Sequence, residues 1–322
     1  MVSGDAMPSF ADVGAAAERI RLFAHRTPVL TCSSLDAMVG ASLFFKCENF
    51  QKVGAFKFRG ACNAVFSLGE EEARRGVATH SSGNHAAALS LAARLRGVPA
   101  HVVMPRTSRA VKRAAVAGYG GRIVLCEPTL AAREATLAEV VAETGATVIH
   151  PYNDARVIAG QGTAALELLE DVRGLDVVMT PVGGGGLLSG TAISVTSLSP
   201  ATRVVAAEPE GADDAFRSLQ EGRIVPSVNP QTVCDGLLTS LGTLTFAIIR
   251  EHVAEIVTVS DAAVIKAMRH IWERMKIVIE PSAAVTLGAL LEGRLPVSGL
   301  RIGIILSGGN VDLSELPWGQ NQ

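Results

Sequence analysis

Lys57 stands between two phenylalanines in Asn49-Phe50-Gln51-Lys52-Val53-Gly54-Ala55-Phe56-Lys57-Phe58-Arg59-Gly60-Ala61, at the predicted start of a helix. Apolar neighbours desolvate an amine and pull its pKa down, which is what a lysine needs to form an imine with a carbonyl compound. Most lysines only solvate a surface, so spacing alone leaves Lys57 an ordinary residue. Three loops, each following a predicted strand, give it company. Pro181-Val182-Gly183-Gly184-Gly185-Gly186 opens a helix; its main-chain amides can curl towards an anion and the helix N-terminus adds a favourable dipole, so a phosphate is the expected ligand. Ser81-Ser82-Gly83-Asn84-His85 offers hydroxyls and free helix amides that suit a carboxylate. Ser307-Gly308-Gly309-Asn310 places Ser307 where it can reach the same crevice. Taken singly, the last two are also ordinary turn chemistry.

The glycine run narrows the kind of phosphate. A dinucleotide fingerprint needs G-x-G-x-x-G, yet Leu188 or Ser189 stands where the third glycine belongs. Glu208 lies near the place of a ribose-binding acid, so a nucleotide-binding regulatory protein stays as the distant alternative. No Walker loop and no G-x-S-x-G nucleophile elbow occurs.

The elements that must hold these loops alternate. Predicted strands are Leu43–Cys47, Gly76–His80, Ala100–Met104, Arg122–Cys126, Thr147–His150, Val177–Pro181, Arg203–Glu208, Glu255–Val259 and Arg301–Leu306. Predicted helices include Phe10–Ala24, Lys57–Leu68, Asn84–Arg96, Thr129–Thr144, Gly160–Val172, Leu187–Leu198, Ala262–Lys276 and Ser282–Glu292. Strands alternating with helices define an α/β protein with mostly parallel sheet, in which ligands sit at the carboxyl ends of strands. The unit from about Gly76 to His150 can form a sheet of its own. The expected division is a discontinuous large domain, 1–75 and 150–322, and a small domain, 76–149.

Composition excludes several classes. A net charge of -2 gives no basic field for nucleic acid or membrane surfaces, and aromatics at 4% give no stacking platform. Apolar runs such as Val177–Val182 and Ile302–Leu306 are far too short to span a bilayer, and Met1–Ala15 lacks the pattern of a signal peptide. Five scattered cysteines without a C-x-x-C pair fit buried thiols in a reducing cytoplasm.

Asn49–Ala61, Thr79–His85, Ala159–Thr163, Gly183–Gly186, Ile279–Pro281 and Leu306–Asn310 together resemble the fold-type II pyridoxal 5′-phosphate (PLP) enzymes, in that family's order and from about residue 8 onward. The nearest likeness is to serine racemases and to serine/threonine and 3-hydroxyaspartate dehydratases, in the short form without a regulatory domain. The resemblance implies a tryptophan synthase β-like fold of two open α/β domains with the active site between them, and a homodimer. It implies that Lys57 binds PLP as a Schiff base, Phe56 packs on the ring, Asn84 bonds its phenolic oxygen, Gly183, Gly184, Gly185 and Gly186 cradle the phosphate, and Ser307 faces the ring nitrogen. A neutral serine there makes a mild electron sink and favours expulsion of a β-hydroxyl.

By the same resemblance Ser81, Gly83, Asn84 and His85 grip a substrate carboxylate. Ser82 stands where serine racemases carry the proton donor opposite the lysine, so racemisation is the alternative activity. Glu208, the Ala212 carbonyl and Asp214 resemble a divalent-cation site suited to Mg²⁺, Ca²⁺ or Mn²⁺. One departure points to the substrate: Val53-Gly54-Ala55-Phe56-Lys57 replaces the common Thr-Gly-Ser-Phe-Lys and looks like the 3-hydroxyaspartate dehydratases. That substrate needs a cation for its second carboxylate, and Arg133 is the candidate, with a surface salt bridge as its other reading. The expectation is a lyase that turns 3-hydroxyaspartate into oxaloacetate and ammonia, taking serine or threonine less well.

Overall fold

The computed structural model describes residues 6–318. The strands among them are β1 (Val29–Leu30), β2 (Ser42–Cys47), β3 (Val77–His80), β4 (Ala100–Pro105), β5 (Arg122–Cys126), β6 (Thr147–Val148), β7 (Val177–Pro181), β8 (Arg203–Pro209), β9 (Glu255–Val259) and β10 (Arg301–Leu306). They form a six-stranded sheet in the order β1-β2-β10-β7-β8-β9 and a four-stranded sheet in the order β5-β4-β3-β6. Every pairing is parallel except that of the short edge strand β1 with β2.

Parallel strands covered on both faces are apolar along their length, and β7 is buried at all five positions. Alternate residues serve opposite layers. Val177, Met179, Val205, Ile302 and Ile304 pack with residues of helices Asp261–Met275 and Pro281–Leu291. Val178, Val204, Ala206 and Ile305 pack with Leu168 and Leu188 of helices Ala155–Asp171 and Gly186–Leu198. In the four-stranded sheet, Ala78 and Val103 meet Leu137 and Val140 of helix Leu130–Thr144, while Val102 and Met104 meet Ala86 and Val116 on the other side.

Helix Lys57–Phe66 joins the layers. It packs on helix Asn84–Arg96 and on helix Ala155–Asp171. The second crossing is very close: a Cβ on Gly160 would lie 2.6 Å from Gly60 Cα and 2.7 Å from the Arg59 carbonyl oxygen. This explains the largest displacement from the predicted elements. The helix expected from Gly160 begins five residues earlier, at Ala155, where Asp154 accepts hydrogen bonds from the backbone N–H groups of Arg156 and Val157. Gly160 serves this crossing and Gly162 the approach of Gly190 from helix Gly186–Leu198, and neither marks the start of the helix. The first helix stops at Ile20, short of Ala24, and β6 ends at Val148, short of His150.

Beside the crossing lies a buried ionic cluster. Arg59 donates to Glu48 at 2.7 and 2.9 Å and to Glu167 at 2.7 and 2.8 Å, and Lys46 pairs with Glu167 at 2.6 Å. Removing one member would leave a buried charge uncompensated, at a cost of about 3–5 kcal/mol. The helix that begins at Lys57 is therefore fixed by both shape and charge. No helix among the described residues is long and apolar enough to cross a membrane.

Candidate active site

The carboxyl ends of β2, β10 and β7 deliver three of the expected loops to one place. Phe56 N–H donates to the Ser307 carbonyl at 3.0 Å, Gly309 N–H to the Gly54 carbonyl at 2.9 Å, and Ala55 bridges Gly308. Ser307 is buried at the end of β10. Lys57 follows at once. The residue is half-buried, and its amine lies 5.2 Å from the centroid of the Phe56 ring and donates to the Pro151 carbonyl at 2.8 Å. Burial lowers its pKa to about 8, opposed by the charge of Glu280.

Pro151 links the lysine to the glycine loop through its neighbour. The Tyr152 ring lies against Gly184 so closely that a Cβ there would meet it at 2.3 Å. Gly185 caps helix Gly186–Leu198 with φ of 88°, a left-handed conformation that suits glycine. The Thr245 hydroxyl donates to the Gly184 carbonyl at 2.9 Å and fixes the loop from below. Gly183, Gly184, Gly185 and Gly186 are all buried and lead into a helix N-terminus. That cradle fits a phosphate: small, walled, and served by main-chain amides at the positive end of a dipole.

The four-stranded sheet supplies the facing half. Ser81, Ser82, Gly83 and Asn84 are half-buried between β3 and its following helix, with the Ser81 hydroxyl accepting from Gly83 N–H at 3.3 Å. The Asn84 side-chain amide donates to Glu280 at 3.1 and 3.2 Å, and its oxygen accepts from Asn310 at 3.0 Å. His85 is buried, and its Nε2 lies 3.2 Å from the Ile149 carbonyl. That acceptor requires a proton on Nε2, so Nδ1 is a bare acceptor, buried without a partner. Burial, then the Lys57 charge, depresses this histidine to about 3. Its imidazole is neutral at pH 7, which leaves its backbone N–H as the group suited to a carboxylate.

Three further residues were not singled out from the sequence. His150 accepts at Nδ1 from the backbone N–H groups of Asn153 at 2.9 Å and Tyr152 at 3.3 Å, so Nε2 carries its proton. Burial holds its pKa down to about 4, with His80 and Lys57 acting the same way. The His80 and His150 rings meet edge to face at 6.2 Å. His80 in turn is depressed by burial and by the charge of Arg133. Arg133 lies in the first turns of helix Leu130–Thr144, has a buried Nε without a hydrogen-bond partner, and makes no ion pair with a described residue. Its reading as a surface salt-bridge partner is set aside. The third residue is Glu280, a buried acid pushed up to about 7, chiefly by burial and then by Asp235.

Glu208, Ala212 and Asp214 come together at the end of β8, away from the lysine. The Glu208 carboxylate accepts from Ala215 N–H at 3.0 Å and Phe216 N–H at 2.8 Å, and burial raises its pKa to about 9. Neither carboxylate oxygen of the buried Asp214 has a hydrogen-bond partner, and burial raises this acid to about 6. Two buried acids without an ion pair among the described residues, beside the main chain of buried Ala212, fit a hard divalent cation completed by waters.

Two parallel α/β layers whose strand ends enclose a half-buried lysine, a glycine cradle and a neutral serine have the architecture of the fold-type II PLP enzymes. The family model described as pyridoxal-phosphate dependent enzyme matches residues 20–308, and the chain belongs to that family. The alternative of a nucleotide-binding regulatory protein falls with this match. The chain is 55% identical over 312 residues to the beta-hydroxyaspartate dehydratase of Paracoccus denitrificans (strain Pd 1222), covering 97% of this chain and 99% of the relative. It is 48% identical to the L-threo-3-hydroxyaspartate ammonia-lyase of Saccharomyces cerevisiae (strain ATCC 204508 / S288c), over 96% of this chain and 95% of that one. The crystal structure of serine racemase from Dictyostelium discoideum superposes with a TM-score of 0.92 at 50% identity, over 96% of this chain and all of the other.

Proposed function

We propose that the protein is a PLP-dependent ammonia-lyase that converts 3-hydroxyaspartate to oxaloacetate and ammonia, with serine and threonine as lesser substrates. The residue that supports this substrate is Arg133, a guanidinium without an ion pair to a described residue, on the helix Leu130–Thr144 that packs on the four-stranded sheet and close enough to His80 for its charge to act there. A substrate with two carboxylates can use one at the Ser81–His85 amides and the other at this arginine, where a charge-assisted bond is strongest. Both hydroxyaspartate-acting relatives support the reading.

Bound PLP supplies the electron sink that lets the bonds at Cα and Cβ break. Lys57, with its amine near pKa 8, holds and returns the Cα proton on one face. Phe56 would pack on one side of the ring, and Gly183–Gly186 would hold the phosphate. Ser307 would offer the ring nitrogen a hydrogen bond without a full proton, which would keep the sink mild and favour prompt loss of the β-hydroxyl. Gly83, Asn84 and His85 orient the α-carboxylate from the start of their helix. Glu208, the Ala212 carbonyl and Asp214 would hold a divalent cation, which would steady the end of β8. Five cysteines, all unpaired, suit a cytoplasmic enzyme, and we take the working unit to be a homodimer.

A second reading, amino-acid racemisation, is favoured by one residue. Ser82, half-buried at the end of β3, would be the proton donor for the face opposite Lys57. The test is a panel of L-serine, L-threonine and the 3-hydroxyaspartate isomers, each with and without Mg²⁺. Oxaloacetate from one hydroxyaspartate isomer at the highest kcat/KM is expected; D-serine formed from L-serine faster than any 2-oxo acid would overturn the lyase assignment.

A further inference from the structure

Glu280 has no part in the chemistry described above, yet it is buried within the site and touches its key amide. Its carboxylate takes the Asn84 amide at 3.1 and 3.2 Å, and Asn310 donates to the other end of that amide at 3.0 Å while also donating to the Val53 carbonyl at 2.7 Å. These contacts leave no ambiguity in the Asn84 flip: oxygen faces a pure donor and nitrogen faces an acid. One amide hydrogen is consumed by Glu280, and the second is left to point elsewhere. Glu280 N–H donates to the Gly308 carbonyl at 3.0 Å, so the acid is seated on the same Ser307–Asn310 loop that closes over Phe56. Its charge is also the one that acts on the Lys57 amine.

We propose that Glu280 is a positioning residue that aims the second Asn84 N–H at the phenolic oxygen of the cofactor and, as a carboxylate, supports positive charge on the Lys57 nitrogen. The inference rests on the PLP assignment and holds whichever hydroxy amino acid is the substrate. Other charges reach Glu280 too. Asp235 favours its protonated form, whereas Lys112, paired with Asp235 at 2.7 Å, and the Asn310 backbone N–H favour the carboxylate. Protonation of Glu280 keeps the acceptor for Asn84 but removes the negative charge, so the two parts of the proposal separate experimentally.

Glu280→Gln keeps the acceptor and removes the charge; Glu280→Ala removes both. The first readout is absorbance of the holoenzyme near about 410–420 nm as a function of pH. With the charge gone, the midpoint of that band should fall by at least about 0.5 pH unit in Glu280→Gln, while PLP affinity stays within about threefold of wild type. The second readout is PLP dissociation in a cycle of Glu280→Ala, Asn84→Ala and the double variant. Each single change should weaken PLP about tenfold, and the double variant should be little worse than Asn84→Ala, because one residue acts through the other. An unchanged midpoint in Glu280→Gln, or losses that simply add in the double variant, overturns the proposal. Glu280→Gln is nearly isosteric, so the spectroscopic arm stands even if Glu280→Ala fails to fold.

Discussion

The two halves of the active site are built from different materials. The half carried by the six-stranded sheet rests on a central strand, β7, buried end to end, a glycine loop walled by Tyr152 and Thr245, and a lysine whose helix is held by a glycine crossing. The half carried by the four-stranded sheet has shorter and more exposed strands. β5 is buried only at Cys126 and β6 at neither residue. It presents serines, an asparagine, three histidines and an arginine. Packing over-determines the first half, to which the proposed function gives one task, holding the cofactor. The second half is polar and partly open, and the same proposal puts choice of substrate there.

This division can be broken. Lys57→Ala should remove the band near about 410–420 nm and cut activity by on the order of 10³-fold or more on every substrate, since the cofactor half serves all of them alike. Gly184→Ala should weaken PLP by about tenfold or more, again for every substrate, because its methyl group would overpack against Tyr152 at a cost of about 1–3 kcal/mol. Arg133→Gln should lower kcat/KM for 3-hydroxyaspartate by on the order of 10- to 100-fold, the value of a hydrogen bond to a charged group, while serine changes by less than about threefold. Equal losses on the two substrates would refute the division. Ser82→Ala should abolish racemisation, read by chiral chromatography, and leave elimination within about threefold.

The smallest effect concerns pH. His85 and His150 have folded pKa values of about 3 and about 4, below the ordinary value of 6.5. The unfolded chain therefore binds more protons than the folded one between pH 6.5 and about 4. Stability is complete above that window and falls as the pH drops through it, by up to about 1.4 kcal/mol per pH unit for each histidine. His150→Asn keeps an acceptor for the Asn153 N–H but cannot titrate, so its urea midpoint should fall less between pH 7 and pH 5 than that of wild type.

The same contrast governs what the sequence disclosed. Most strand positions followed from apolar runs, and Lys57, the glycine loop, Ser82 and Ser307 stood out because local spacing and loop composition mark them. The sequence places the start of helix Ala155–Asp171 too late because Gly160 and Gly162 look like punctuation, whereas Gly160 makes room for Gly60, a hundred residues away, and Gly162 for the Gly190 backbone. Glu280 lies inside the Ile279–Pro281 segment that carries the family resemblance, yet its contacts are hidden for a similar reason. Its partner Asn84 is 196 positions distant, and nothing in Glu280-Pro281 beyond a helix start announces an acid turned inward. The tautomers of His85 and His150 depend on main-chain atoms of residues 149, 152 and 153, which no pattern of side chains encodes.

The close approach of Gly60 and Gly160 bears on how such enzymes diversify. A crossing that admits no side chain cannot drift gradually, so the height and angle of Lys57 are inherited as a unit. Mutation is then free to explore the other wall of the cleft without risk to the nucleophile. Chains that share this backbone can part ways as lyases or racemases through a few exchanges at the ends of β3 and β6, and old activities can linger at low level while new ones are selected.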